Sequence, residues 1–350
     1  MALNLVAEFL EHNWRRVAFI GIAKHAGKTT AMNQAIRQAE EIGVPLGLCS
    51  IGLDGERLDT IMGIDKPPVF VPAGTVIASA ENALLQSETQ LEYLADTGIP
   101  SPLGNVLIAK AIWPGKVLLA GVRQRHHVAR AVPYLHRFGA QLVFVDGAFD
   151  RVASAVPGLV DAAVLVIGAV SGKTVDQVVA VAYPFLQRFH LPLVEDGLRS
   201  VFQPALEAQE IAAWDGVELK RFPRHQGILG LRQDAQWSAE TTHVFIPGAV
   251  SDAVLENLMG HPRPLQVIAS HPAQVIAGNG VLERWFRKNH TLVLWQTLPL
   301  AAVAVNPYSI QGYSLSESEL FEKLTPLVPG VPLYNAAAEE GSDSEQVFRG

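Results

Sequence analysis

The chain has one cysteine, Cys49, and that scarcity excludes two kinds of scaffold: no intramolecular disulfide can close, and no structural zinc site can rest on thiolates. A reducing compartment suits such a sequence. Basic runs are missing as well. Lys and Arg number 27 against 34 Asp and Glu, a formal net charge of -7, so the clustered positive charge that phosphate backbones and anionic lipids demand is absent. Neither a nucleic-acid partner nor a membrane is expected. No stretch reaches the ~20 apolar residues of a membrane-crossing helix. Glu8 and Glu11 interrupt the apolar N-terminus and Arg15 and Arg16 follow them, unlike a secretory leader, so a cytoplasmic location is expected. There is no internal repeat at solenoid spacing.

What is present is a chain of 350 residues, 49% apolar and 17% charged, long enough for one large or two medium domains with well-buried cores. Apolar runs at 17–20, 45–51, 117–122, 142–145 and 163–167 alternate with helical patterns, the arrangement of a parallel sheet covered on both faces. Met32, Ala35, Ile36, Ala39 and Ile42 recur at helical spacing, and Gly43 follows as a stop. Between 191 and 237 the alternation lapses and Pro, Gln, Arg and Gly become frequent, which predicts a connecting region. Alternation resumes at 243–246, 265–268, 291–295 and 300–305, predicting a smaller C-terminal α/β unit over 238–335. The stretch 336–350 is small, acidic and serine-containing, and a disordered tail is expected there.

The segment Arg16-Val-Ala-Phe-Ile-Gly-Ile-Ala-Lys-His-Ala-Gly-Lys-Thr-Thr30 reads as a strand, a short loop and a helix start, the order a phosphate-binding P-loop requires. In such a loop backbone N–H groups and the helix N-terminus face the phosphates, and small residues let the backbone approach closely. Gly21, Lys24, His25, Ala26, Gly27, Lys28, Thr29 and Thr30 are the residues expected to bind the nucleotide. Lys28 is expected at the β- and γ-phosphates and the Thr29 hydroxyl at magnesium. Five residues rather than the usual four separate Gly21 from Gly27, and this longer loop resembles that of dethiobiotin synthetase. The fold class expected is therefore α/β: a mostly parallel, doubly wound sheet of P-loop NTPase type over 1–190, followed by the connecting region and the smaller unit.

Two carboxylates are expected to meet the loop. Leu142-Val-Phe-Val-Asp146-Gly147 is an apolar strand ending in Asp-Gly, the form of a Walker B segment, with Asp146 holding magnesium directly or through water. Asp54, in Ser50-Ile-Gly-Leu-Asp-Gly-Glu56, follows the second strand on the same edge. It is read either as a ligand of a magnesium-bound water or as a plain Asp-Gly turn. Lys28, Asp54 and Asp146 are thus the candidate catalytic residues, and Thr29, Asp54 and Asp146 the candidate metal ligands. The Asn-Lys-x-Asp segment that marks guanine selectivity is absent, leaving ATP with Mg2+ as the expected cofactor pair.

Other signals have blander readings. Arg125-His126-His127 with His136 lacks ligand spacing and reads as a strand-to-helix turn; Arg123 and Arg125 follow the run 117–122 on the presumed binding edge. Ser171-Gly-Lys-Thr174 lacks a leading glycine loop and reads as a helix start. Gly278-Asn-Gly280 lacks the third glycine of a dinucleotide fingerprint.

Several segments together resemble the P-loop subunit of lysine 5,6-aminomutase reactivase. They are Gly21-Ile-Ala-Lys-His-Ala-Gly-Lys-Thr-Thr30, Ser50-Ile-Gly-Leu-Asp-Gly-Glu56, Lys66-Pro-Pro-Val-Phe-Val-Pro-Ala-Gly-Thr75, Val145-Asp-Gly-Ala-Phe-Asp-Arg151 and Val305-Asn-Pro-Tyr-Ser-Ile-Gln-Gly-Tyr313. The resemblance implies an ATPase that exchanges damaged cobalamin for intact coenzyme on an adenosylcobalamin-dependent aminomutase, working with a second reactivase subunit. The loop length alone implies an alternative, an ATP-dependent ligase or kinase of the dethiobiotin-synthetase kind acting on a small molecule.

Overall fold

The computed structural model describes residues 4–51, 69–122, 125–147, 158–222 and 238–337. In chain order the elements begin α1 (Leu5–Glu11), β1 (Arg16–Gly21), α2 (Lys28–Glu41), β2 (Leu46–Ile51), β3 (Val69–Val71), β4 (Val76–Ala80) and α3 (Glu81–Leu84). They continue with β5 (Leu91–Ile99), β6 (Val106–Ala111), β7 (Gly115–Val117), α4 (Arg125–Arg137), β8 (Leu142–Gly147), β9 (Ala162–Gly168) and α5 (Val175–Phe189). Next come α6 (Asp196–Ala208), β10 (Ile211–Trp214), β11 (Leu219–Phe222), β12 (His243–Ile246), α7 (Asp252–Leu258), β13 (Gln266–Ala269), α8 (Asn279–Arg287) and β14 (Thr291–Leu294). The last are β15 (Leu300–Asn306), α9 (Glu317–Leu324) and β16 (Leu333–Asn335).

Two compact units result: Met1–Tyr183 with Pro299–Gly350, and Pro184–Leu298. The first is built on a nine-stranded sheet in the order β16-β15-β9-β1-β8-β2-β4-β6-β5. Neighbours run parallel from β16 to β4, and only β6 and β5 introduce antiparallel pairs. The expected large, mostly parallel α/β sheet is therefore present. Its central strands are apolar on both sides because helices cover both faces. Val17, Phe19, Leu46, Leu48, Leu142 and Phe144 pack with Leu5, Val6 and Phe9 of α1 and with Ala31, Met32, Ala35, Ile36 and Ala39 of α2. On the opposite face, a Cβ added to Gly47 of β2 would lie 3.1 Å from that of Leu135 in α4, so glycine lets this helix sit close. Helix α2 stops as read: Gly43 turns to φ 70° and the Val44 N–H returns to the Ala39 carbonyl at 2.8 Å.

The run 117–122 is not a sheet strand. Only Gly115–Val117 is extended in a ladder, and it pairs with β3 in a separate two-stranded ribbon. Gly121, at φ 100°, breaks the remainder, whose groups bond to β4: the Ala80 N–H donates to the Ala120 carbonyl at 2.9 Å, and the Ser79 hydroxyl to that of Leu118 at 2.9 Å.

The domain boundaries also differ from those expected. The described part of the supposed connector, 191–222, supplies α6, β10 and β11 to the second unit, where Leu198, Phe202 and Ala205 pack on Ala212, Phe245, Ile268 and Val293. Its polar residues lie on the exposed side of α6, which is why the alternation fades in the sequence. The second unit's sheet runs β11-β10-β12-β13-β14, with α7 and α8 on the face away from α6. The run 300–305 leaves that unit altogether: β15 pairs with β9 in the large sheet and is buried along its middle. Ala336 and Ala337 are packed residues rather than tail, the Ala336 N–H donating to the Val305 carbonyl at 2.9 Å; residues 338–350 lie outside the described residues. Among the described residues no helix is long and apolar enough to cross a membrane.

Candidate functional site

Parallel pairing brings the C-terminal ends of β2, β8, β1, β9 and β15 to one edge. Ile20 aligns with Gly147, Gly21 with Val166, Ser50 with Asp146, and Asn306 with Gly168. The chain leaving β1 therefore emerges between the ends of β8 and β9, where the order of strands reverses direction along the chain and crevices form in open α/β sheets.

The loop from Ile22 to Gly27 is compact. The Ile22 N–H extends the β1–β9 pairing to the Val166 carbonyl at 3.0 Å, and the Ala26 N–H turns back to the Ala23 carbonyl at 3.3 Å. His25 and Gly27 both have positive φ, 61° and 98°. Gly27 then caps α2 without any side-chain bond to its first turn. Lys28, Thr29 and Thr30 occupy that turn, whose N–H groups have no acceptor within the helix, and the dipole there favours an anion. Left-handed geometry costs an ordinary L residue about 1 kcal/mol or more, which Gly27 avoids and His25 does not.

Lys28 reaches across to the end of β8. Its Nζ lies 2.7 Å from Asp146 Oδ1 and donates to the Gly147 carbonyl at 2.6 Å. The Asp146 side chain is 3% exposed, so this is a carboxylate inside the sheet edge held by a cation that is itself partly covered. The Ser50 hydroxyl lies 3.5 Å from Asp146 Oδ2, a weak donor at that separation. Beneath them Cys49 is fully buried; desolvation first, and the Asp146 charge second, push its thiol up to about 12. Ellman's reagent at pH 8 should accordingly find no reactive thiol in the folded protein and one per chain after denaturation. A rapid native reaction would contradict that burial.

Two close approaches frame the loop from the other side, and neither is apparent in the motif. A Cβ on Gly27 would stand 2.9 Å from that of Asn306 at the end of β15. A Cβ on Gly168 would stand 2.5 Å from the Ala26 carbonyl oxygen and 2.6 Å from its Cα. Asn306 Oδ1 accepts from the Tyr308 N–H at 3.1 Å. The Tyr313 hydroxyl lies 2.8 Å from the Ala169 carbonyl and 3.1 Å from that of Gly172, tying the segment after β15 to the turn after β9. The turn-rich segment 306–313 is thus part of the loop's surroundings.

Of the residues expected here, Gly21, Lys24, His25, Ala26, Gly27, Lys28, Thr29, Thr30 and Asp146 share this edge. Asp54, with Glu56, Lys66, Arg123, Asp150, Arg151 and the side chain of Arg125, lies outside the described residues. His126 and His127 meet edge to face at the start of α4, ring centroids 4.2 Å apart, whereas His136 near its end bonds through Nδ1 to the Ala140 carbonyl at 2.8 Å; helical rise keeps them from one site. Thr174 accepts from the Gln177 N–H at the start of α5, so that segment begins a helix as read, and Gly278, whose N–H donates to Asp252, precedes α8. Among the described residues no three His, Cys, Asp or Glu side chains gather as a metal cage. No family model, curated protein or solved structure matches the chain.

Proposed function

We propose that this edge is a P-loop site for ATP with magnesium, and that the protein is the ATPase subunit of a reactivating factor for an adenosylcobalamin-dependent aminomutase. The observation that carries the nucleotide reading is the Lys28–Asp146 pair at 2.7 Å: a buried carboxylate from one strand meets the lysine that opens the helix of the neighbouring loop. The residues fit the cofactor. Gly27 and Gly168 leave the backbone bare where a Cβ would meet neighbouring atoms, and the loop ends on a helix N-terminus without a side-chain cap. Thr29 and Asp146 would hold the metal, in keeping with an ion that retains several waters and takes few protein ligands. Bound magnesium supplies charge neutralisation at the phosphate oxygens. With nucleotide bound, Lys28 would turn from Asp146 to the phosphates, leaving the Asp146 carboxylate to help hold the metal. The chain's contribution to turnover is then positioning and electrostatic stabilisation by Lys28 and the loop amides.

The reactivase reading rests on the resemblance of the five segments, two of which, Gly21 to Thr30 and Val305 to Tyr313, are neighbours at this edge. ATP turnover would then alter affinity for the mutase, since a ligand shifts an equilibrium only by binding two states differently. The longer loop favours a second reading, a ligase or kinase of the dethiobiotin-synthetase kind. Steady-state ATPase measurements separate them. Stimulation by an adenosylcobalamin aminomutase and its second reactivase subunit is expected; stimulation by a small acid or amine alone would replace the first reading with the second.

A further inference from the structure

The contact between Lys28 and Asp146 occupies the two groups that the proposed site needs for different purposes, the ammonium for phosphates and the carboxylate for metal. Lys28 Nζ donates to the Gly147 carbonyl at 2.6 Å and lies 2.7 Å from Asp146 Oδ1. Both acceptors belong to the last two residues of β8, a strand buried throughout. Pairing of Gly147 with Ile20 of β1 on one side and Ile51 of β2 on the other fixes their place. The flexible stem of the lysine is the part of this contact that can move.

Moving it has an unequal cost for two forms of the same ligand. A phosphate chain that draws the ammonium away takes the cation at 2.7 Å from a carboxylate that is 3% exposed, and brings negative charge beside it. Removing one partner of a buried ion pair is strongly unfavourable, because the other stays desolvated. Like charge nearby adds to the penalty. Asp146 regains a cation only from a nucleotide that carries its metal. Metal-free nucleotide competes with the carboxylate for Lys28 and offers it nothing in exchange.

We infer that Asp146 is an intramolecular competitor for Lys28 and thereby selects metal-bound over metal-free nucleotide, an inference that rests on the P-loop reading above and gives the carboxylate a task distinct from metal ligation. Calorimetry with ATP in EDTA and with Mg·ATP tests it on the full chain, together with acylation of Lys28 followed by mass spectrometry. Asp146→Asn keeps the shape of the side chain and removes its charge. This variant should bind metal-free ATP roughly tenfold more tightly than the parent, the worth of one charge-assisted contact, while its affinity for Mg·ATP falls. Lys28 should also be acylated faster than in the parent when no nucleotide is added, because the amine is no longer held. A carboxylate that only ligates metal would give the Mg·ATP loss without the gain in EDTA, and that result overturns the inference. So does a gain in EDTA with unchanged acylation, which would be relief of charge repulsion alone. Should Asp146→Asn melt too low for calorimetry, Asp146→Ser is held to the same expectations. A parent that binds neither form of ATP removes the P-loop reading and this inference with it, whereas a parent that binds Mg·ATP beside variants without the gain removes only the competition.

Discussion

Lys28→Ala should abolish magnesium-dependent ATP binding, an affinity loss of about a hundredfold or more, and should also destabilise the protein by about 2–3 kcal/mol. The two effects have separate causes. Binding is lost because the ammonium, which bonds to a strand-end carboxylate at this edge, is the group expected to turn to the phosphates. Stability is lost because Asp146 remains behind. Its side chain is 3% exposed, so removing the cation at 2.7 Å takes a charged partner away from a desolvated carboxylate. The double variant Lys28→Ala/Asp146→Asn separates them: melting should recover toward the parent while binding stays absent. Calorimetry and thermal denaturation on the same samples check both. Undiminished affinity in the single variant would remove this edge as a nucleotide site.

The parts of this arrangement that are legible in the sequence are those where one strand carries its own explanation. β1, β8 and β9 are apolar throughout because both faces of each are covered, and Asp146 and Gly21 stand at their ends. β5 goes unread for the opposite reason. β5 is an edge strand with Glu92, Tyr93, Asp96 and Gly98 exposed and two irregularities in its register, so it shows neither an apolar run nor a clean alternation. β15 is read as a strand but assigned to the wrong sheet, since periodicity says nothing about which partner a strand takes after a long excursion. Asn306 and Gly168 are likewise ordinary turn residues in the sequence. Their importance lies in contact with a loop far upstream, and one chain without aligned relatives carries no sign of that contact. The polar residue that ends a buried strand, as Asn306 does in β15, is the local hint of its place on the edge.

Gly168→Ala is the sharper test of whether the loop's position matters. Gly168 is extended, with φ -113° and ψ 148°, a conformation any residue adopts, so alanine introduces no backbone strain. What it introduces is a methyl group 2.5 Å from the Ala26 carbonyl oxygen and 2.6 Å from its Cα. These are backbone atoms, which cannot rotate aside as the end of a flexible side chain would. Either the end of β9 or the loop must shift, and β9 is clamped between β1 and β15 while the loop is bonded to it mainly through Ile22. The loop should therefore move, carrying Ala26, Gly27 and Lys28 away from Asp146. Overpacking of this kind costs about 1–3 kcal/mol, a moderate loss of stability. The functional cost is larger, because a displacement on the order of 1 Å in a positioning element can reduce productive binding roughly a hundredfold. Calorimetry with Mg·ATP should thus show affinity falling far more than melting does. Proportionate losses would mean that the methyl only weakens the fold, and unchanged affinity would mean that the loop tolerates displacement and does not depend on its wedge between β8 and β9.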